Sequence, residues 1–187
     1  MDVIYCDVDH VLHGGVLRYR QQPLLRPEMS GQTLFQNAPI LLRSLDPYPD
    51  LKIVLSTSWV MELGFDRARA YLPETLQQRV VGATFDKRRM RKYEFSNLTR
   101  YEQIMTDVQR RHPTRWIAID DDLQGWPEES LERIVAMPLV LGLSSPAAAL
   151  ELQQRLATVF GDVEKFLIHP HLVKKAKLNW PDVDLDK

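Results

Sequence analysis

Three times along this chain a short run of apolar, mostly β-favouring residues stops at polar side chains. Val3-Ile4-Tyr5-Cys6 ends at Asp7, Leu51 to Leu55 ends at Ser56, and Trp116 to Ile119 ends at Asp120. Runs of this length and composition read as buried strands. A buried strand that ends in carboxylates or hydroxyls delivers them to the edge of its sheet. In open α/β sheets that edge, outside the carboxyl ends of the strands, is where ligands bind. The pattern is therefore most economical if all the strands run the same way and share one site.

The intervening segments fit that arrangement. Apolar spacing predicts helices over Ala38 to Leu45, Val60 to Leu72, Arg100 to Arg111, Glu128 to Val135 and Ser145-Pro146 to Phe160, with a helical turn over Glu74 to Arg79. Ser145 followed by Pro146 is a helix start, the serine as cap and the proline in the first turn. Val80 to Gly82 and Pro138 to Leu141 supply two further strands. Strands alternating with helices imply right-handed crossovers and helices on both faces. The expected fold is a three-layer α/β/α, Rossmann-like domain with a mainly parallel five-stranded sheet.

Composition limits what such a domain can be. With 187 residues, 44% of them hydrophobic, the chain suits one compact domain with a sizeable core, expected over 1–160. The stretch from 161 to 187 has no clear period and is expected to be a C-terminal extension. Val16 to Pro39, broken by Pro23, Pro27 and Gly31, is expected to be an irregular excursion over the site. A formal net charge of −1 provides no global attraction to nucleic acid or to an anionic membrane, so any polyanion would need a local patch. Asp86 to Lys92, with Lys87, Arg88, Arg89, Arg91 and Lys92, is the candidate; its alternative is a solvated basic loop. The single cysteine, Cys6, lies inside a strand and excludes an internal disulfide. The Met-Asp-Val-Ile start resembles no secretory signal, and the apolar run Ile134 to Leu143 is too short to cross a bilayer. A soluble cytoplasmic protein with no membrane partner is expected.

Asp7, Asp9, Ser56, Asp120 and Asp121 would share one sheet edge, with the basic stretch Lys87 to Arg100 close by. Several carboxylates in one crevice repel each other, and a hard divalent cation with oxygen ligands relieves that repulsion most simply. Mg2+ is the natural candidate because it accepts one or two carboxylates and prefers phosphate oxygens at its other positions. An aspartate can itself be the nucleophile toward a phosphoryl group.

At these residues the chain resembles the haloacid-dehalogenase-like (HAD) superfamily. Val3 to Leu12, with Asp7-Val8-Asp9-His10-Val11, is similar to its first motif, Ile53 to Ser56 to its second, and Trp116 to Asp121 to its fourth. The resemblance implies that Asp7 is the nucleophile and binds Mg2+. Asp9 would act as general acid and then base, with its backbone carbonyl on the metal. Ser56, with Thr57 as an alternative, would bind phosphate, and Asp121 would ligate the metal with Asp120 in support. An acid at position 9 favours phosphatase over dehalogenase chemistry.

Two departures accompany the match. His10 stands where Gly or Asn is common, a place that favours a left-handed backbone; His10 and His13 have substrate contact as their functional reading. The lysine of the third motif is replaced at the start of the helix before the fourth by Arg100, with Lys92 and then Lys87 as alternatives. That exchange, and the Gly142-Leu-Ser-Ser-Pro lead-in to the last helix, also resemble HAD domains associated with RNA repair.

The chain has no room between its motifs for a separate cap domain, which implies an open site and phosphate on a nucleic-acid terminus or a phosphoprotein. Two functions follow from the resemblance. One is a Mg2+-dependent phosphomonoesterase working through an aspartyl-phosphate on Asp7. The other is a HAD-like module that binds phosphate, nucleic-acid ends or a partner protein with little or no turnover.

Overall fold

The computed structural model describes residues 1–14 and 33–161. The excursion expected over Val16 to Pro39 lies outside the described residues as far as residue 32, and α1 begins within its last residues, at Ala38; the tail after Gly161 lies outside them as well. Five strands form one all-parallel sheet: β1 (Val3–Cys6), β2 (Lys52–Leu55), β3 (Val80–Ala83), β4 (Trp116–Asp120) and β5 (Ile134–Ala136), in the order β3-β2-β1-β4-β5. The helices are α1 (Ala38–Leu45), α2 (Ser58–Leu63), α3 (Phe65–Tyr71), α4 (Glu74–Gln77), α5 (Lys92–Ser96), α6 (Arg100–Arg111) and α7 (Pro146–Phe160). None of the described helices is long and apolar enough to cross a membrane.

The central strand is buried on both faces, which is why Val3 to Cys6 is apolar at every position rather than alternating. Alternation instead sorts its side chains between two cores. Ile4, Cys6, Ile53, Leu55, Ile117 and Ile119 point into the larger core, with residues of α1, α2, α3 and α7. Val3, Tyr5, Val54 and Ala118 point the other way, where Ile104 of α6 and Trp126 cover them. Order along the sheet reverses direction at β1, because β2 lies on one side of it and β4 on the other. That reversal opens a crevice between the carboxyl ends of β1 and β4.

Four elements depart from expectation. The fifth strand is Ile134–Ala136 rather than Pro138 to Leu141, and the segment before it, Glu128–Arg133, is a 3-10 helix rather than part of an α-helix. Glu128 to Arg133 offers only Leu131 as an apolar side chain, 43% exposed, so no stripe exists to hold an α-helix on the sheet. The β-branched pair Ile134-Val135 pairs with Ala118 and Ile119 instead. Leu139, Val140 and Leu141 are exposed beyond the strand. The crossover expected as one helix over Val60 to Leu72 is broken into α2 and α3 at Gly64, whose φ of +83° is outside the helical range. Finally, the basic loop is followed by a short helix, α5, that the composition of the stretch does not suggest.

Candidate active site

Each strand hands its polar group directly to the crevice. Asp7 follows β1, and its N–H still donates to Ile119 O at 3.1 Å, continuing the ladder. Asp120 is the last residue of β4, and its carbonyl accepts from Met137 N at 2.9 Å. One oxygen each from Asp7, Asp120 and Asp121 come together, all within 4.8 Å of one another. Asp7 and Asp120 are buried and Asp121 is half-buried.

Burial and mutual repulsion are visible in their acidities. Burial pushes the Asp7 carboxyl up to about 6; Arg100 and the Val8 N–H oppose this, while Asp9 and Asp121 add to it. Asp120 is raised well above the usual carboxylate range, by burial first and by Asp7 next, with Arg100 opposing. Asp121 is also raised, chiefly by burial, against the pull of His10 and Arg100. A set of three oxygen donors carrying more negative charge than one guanidinium offsets suits a hard divalent cation, and Mg2+ fits it.

Arg100, the first residue of α6, is the cation that reaches this cluster. Its Nη2 donates to Asp7 Oδ2 at 3.1 Å, and its Nε lies 3.0 Å from Asp120 Oδ2. The second pair is an ion pair by distance but is not aligned as a hydrogen bond, since Arg100 Nε and Asp120 Oδ2 both remain without a hydrogen-bond partner. Burial works against the guanidinium's charge, yet Asp7 and Asp120 outweigh it and hold the group more firmly protonated than usual. Lys92 is elsewhere: its Nζ meets Glu62 Oε1 at 2.5 Å on the surface. Lys87 is exposed in the basic loop.

Ser56 and Thr57 divide the roles that the sequence leaves open between them. Thr57 Oγ1 caps α2 by accepting from Trp59 N at 3.4 Å. Ser56 Oγ is fully buried at the carboxyl end of β2 and has no hydrogen-bond partner. A buried hydroxyl without a partner is costly unless a ligand supplies one.

Asp9 is held apart from the metal-donor cluster. Asp9 lies in the tight turn that Leu12 N closes on Val8 O at 2.9 Å, and its carboxylate is held by two side chains. His13 Nε2 lies 3.1 Å from Asp9 Oδ1, and Trp59 Nε1 donates to Asp9 Oδ2 at 3.1 Å. His13 is fully buried beside Asp9, and its Nδ1 has no hydrogen-bond partner among the described residues. His10 adopts the left-handed backbone expected of its position, with φ +56°, and its Nδ1 is bonded to Leu139 O.

Two residues of the site escape sequence reasoning. Trp59 reads as packing, and it does pack against Phe35 and Tyr71, but its indole N–H also fixes Asp9. Gln103 accepts from Arg100 Nη1 at 3.1 Å while donating to Phe95 O and Leu98 O. Its only signal is its place three residues after Arg100 on one helix face.

Carboxylates gathered at the β1/β4 switch point of this all-parallel sheet are compatible with a HAD-type domain. More narrowly, the family described as HAD domain in Swiss Army Knife RNA repair proteins matches residues 3–148, and the chain belongs to that family. Comparison with curated proteins gives no match, and neither does comparison with solved structures.

Proposed function

We propose that the protein is a Mg2+-dependent phosphomonoester hydrolase that works through an aspartyl-phosphate on Asp7. The observation that carries this reading is the convergence of Asp7, Asp120 and Asp121 oxygens within 4.8 Å. Asp7, Asp120 and Asp121 would hold the ion, with the Asp9 carbonyl as the further donor that the resemblance implies. When bound, Mg2+ supplies positive charge to the phosphoryl oxygens and offsets the carboxylates.

In the first step an Asp7 oxygen attacks phosphorus and forms the aspartyl-phosphate. The ester P–O bond breaks, and the leaving oxygen takes its proton from Asp9. In the second step water attacks the same phosphorus, Asp9 accepts a proton from it, and the bond to Asp7 breaks to release inorganic phosphate. Trp59 and His13 hold Asp9 in place for both transfers. Arg100 can bind phosphoryl oxygens through its planar fork, and the partnerless Ser56 Oγ can donate to another. Most of the rate enhancement would then come from positioning and charge stabilisation.

The family's description favours a phosphate carried on an RNA end over one on a phosphoprotein. The test is Mg2+-dependent hydrolysis of an aryl phosphate and of 3′- and 5′-phosphorylated oligonucleotides. Asp7→Asn is expected to lower turnover by about a thousandfold or more. Absence of turnover on every phosphomonoester, with Mg2+ still bound, would leave the phosphate-binding module in its place.

A further inference from the structure

A cleft of about 670 Å3, distinct from the carboxylate crevice, lies beside β3 and is lined by α3, the end of α6 and the basic loop. Cations reach it from three separate elements: Arg67 of α3, Lys87, Arg88 and Arg89 of the loop, and Arg110 and Arg111 of α6. Asp66 and Asp86 are the acids that line it, in a protein whose formal net charge is −1. The positive charge is therefore a local feature with its own cause.

Part of that charge has a structural role. Arg110 and Arg111 both pair with the fully buried Asp107, and Arg89 and Arg110 pair with Asp86. Lys87 and Arg88 do not: both side chains are exposed and form no ion pair with the described residues. Among the cations the lining includes Leu63 and Phe65, both half-buried and packed in part against the larger core. Exposed cations beside an accessible aromatic ring are what a single-stranded nucleic acid uses, the cations for its phosphates and the ring for a base.

A peptide adding to the edge of β3 is disfavoured by the same arginines. Arg110 Nη2 donates to Ala83 O at 3.0 Å, which occupies a carbonyl that an added strand would need, and Arg111 lies over the face of β3 at Gly82.

We propose that this cleft binds the sugar-phosphate backbone of single-stranded nucleic acid. The carboxyl ends of β3, β2 and β1 follow one another along the sheet, so the cleft lies two strand spacings, roughly 10 Å, from Asp7. A strand seated in the cleft can present its terminus to the carboxylate crevice. Only that direction rests on the phosphatase reading; the binding does not.

The probe is a labelled 12-nucleotide single strand with hydroxyls at both ends, as RNA and as DNA, which offers the active site no phosphomonoester. Its binding to the full chain is followed by fluorescence anisotropy across a series of salt concentrations. Lys87→Glu with Arg88→Glu is expected to weaken binding by about tenfold or more and to flatten the slope of log K against log salt by about 1.4, as for two lost phosphate contacts. Phe65→Leu is expected to weaken binding severalfold with no change in that slope. The double variant is also expected to keep the wild-type melting temperature and the wild-type rate on an aryl phosphate, because neither side chain touches the carboxylate site. Tighter binding of RNA or of DNA identifies the source and supports the proposal either way. Undetectable binding at low salt, or binding that ignores the double variant, overturns it. So does a phosphoserine peptide of equal charge that binds as tightly and loses as much affinity in that variant. Failure of the phosphatase reading would instead appear as absence of aryl phosphate hydrolysis with oligonucleotide binding intact.

Discussion

Arg100 is where the reading of single residues is most exposed to test. It is tied to Asp7 and Asp120 and steered by Gln103, so it serves both to offset buried charge and to meet a phosphoryl group. Arg100→Ala should lower kcat/KM by a hundredfold or more, roughly the effect of losing one preorganised donor to the reacting centre. In Mg2+-free protein it should also cost about 3 kcal/mol, because it leaves buried carboxylates without a counter-charge. Arg100→Lys should recover part of the stability but less of the rate, since an ammonium cannot reproduce the planar fork. Steady-state kinetics and thermal melts of the two variants measure this, and an Arg100→Ala enzyme as fast as wild type would remove the residue from the mechanism. Asp7, Ser56, Asp120 and Asp121 are legible in the sequence because each directly follows or ends a strand. Trp59 and His13 are not legible as partners of Asp9, since nothing in their spacing says that a turn at Val8 to Leu12 and the start of α2 will face each other.

At the scale of elements, the site depends on how closely the segment leading into α7 packs on the turn after Asp9. Gly142, with φ +52°, makes that approach possible: a Cβ there would lie 2.5 Å from His10 O and 2.7 Å from Val11 O. Gly142→Ala is expected to cost about 1–3 kcal/mol and to lower turnover by displacing the turn that carries Asp9. Gly64 is the control. It also has positive φ, +83°, but a Cβ there would meet nothing within 4 Å. Gly64→Ala should cost only its backbone strain, about 1 kcal/mol, and leave turnover unchanged. Equal loss of activity in the two would show that the contact with His10 and Val11 is irrelevant. Elements with a clear apolar stripe, α1 and α6 above all, run over the residues that the pattern predicts. The Thr99-x-x-Glu102 capping box adds a local start signal for α6, with Thr99 Oγ1 accepting from Glu102 N. Between Glu128 and Leu141 the observed strand, Ile134–Ala136, differs from the expected one because the apolar run continues past it. Which part of such a run pairs with β4 is decided by the neighbouring strand and by Pro138, which lacks an N–H, and not by hydrophobicity.

For the whole molecule, the buried carboxylates make stability depend on pH and on metal together. Asp7 titrates near 6 in the fold against a usual 3.8, so the folded protein holds this proton more tightly than the unfolded chain does. Without metal, its contribution is complete below about pH 4 and disappears as pH rises through about 6, a change on the order of 3 kcal/mol. A divalent cation binds the ionised form and reverses that loss. Mg2+ should therefore raise the melting temperature clearly at pH 7.5 and much less at pH 5, as calorimetry at the two pH values would measure. A Mg2+ effect of the same size at both would mean that the ion does not bind these carboxylates.

By itself the sequence determined the layer architecture and the edge at which chemistry collects. Strand runs buried on both faces and helical stripes are local patterns, and short parallel crossovers leave few ways to arrange them. Only the tertiary structure decided that Arg100 rather than Lys92 reaches the carboxylates, that Asp9 is held by His13 and Trp59, and that six cations surround a cleft beside β3. Those outcomes depend on which segments far apart in the chain come to face each other, and no periodicity along a single segment records that.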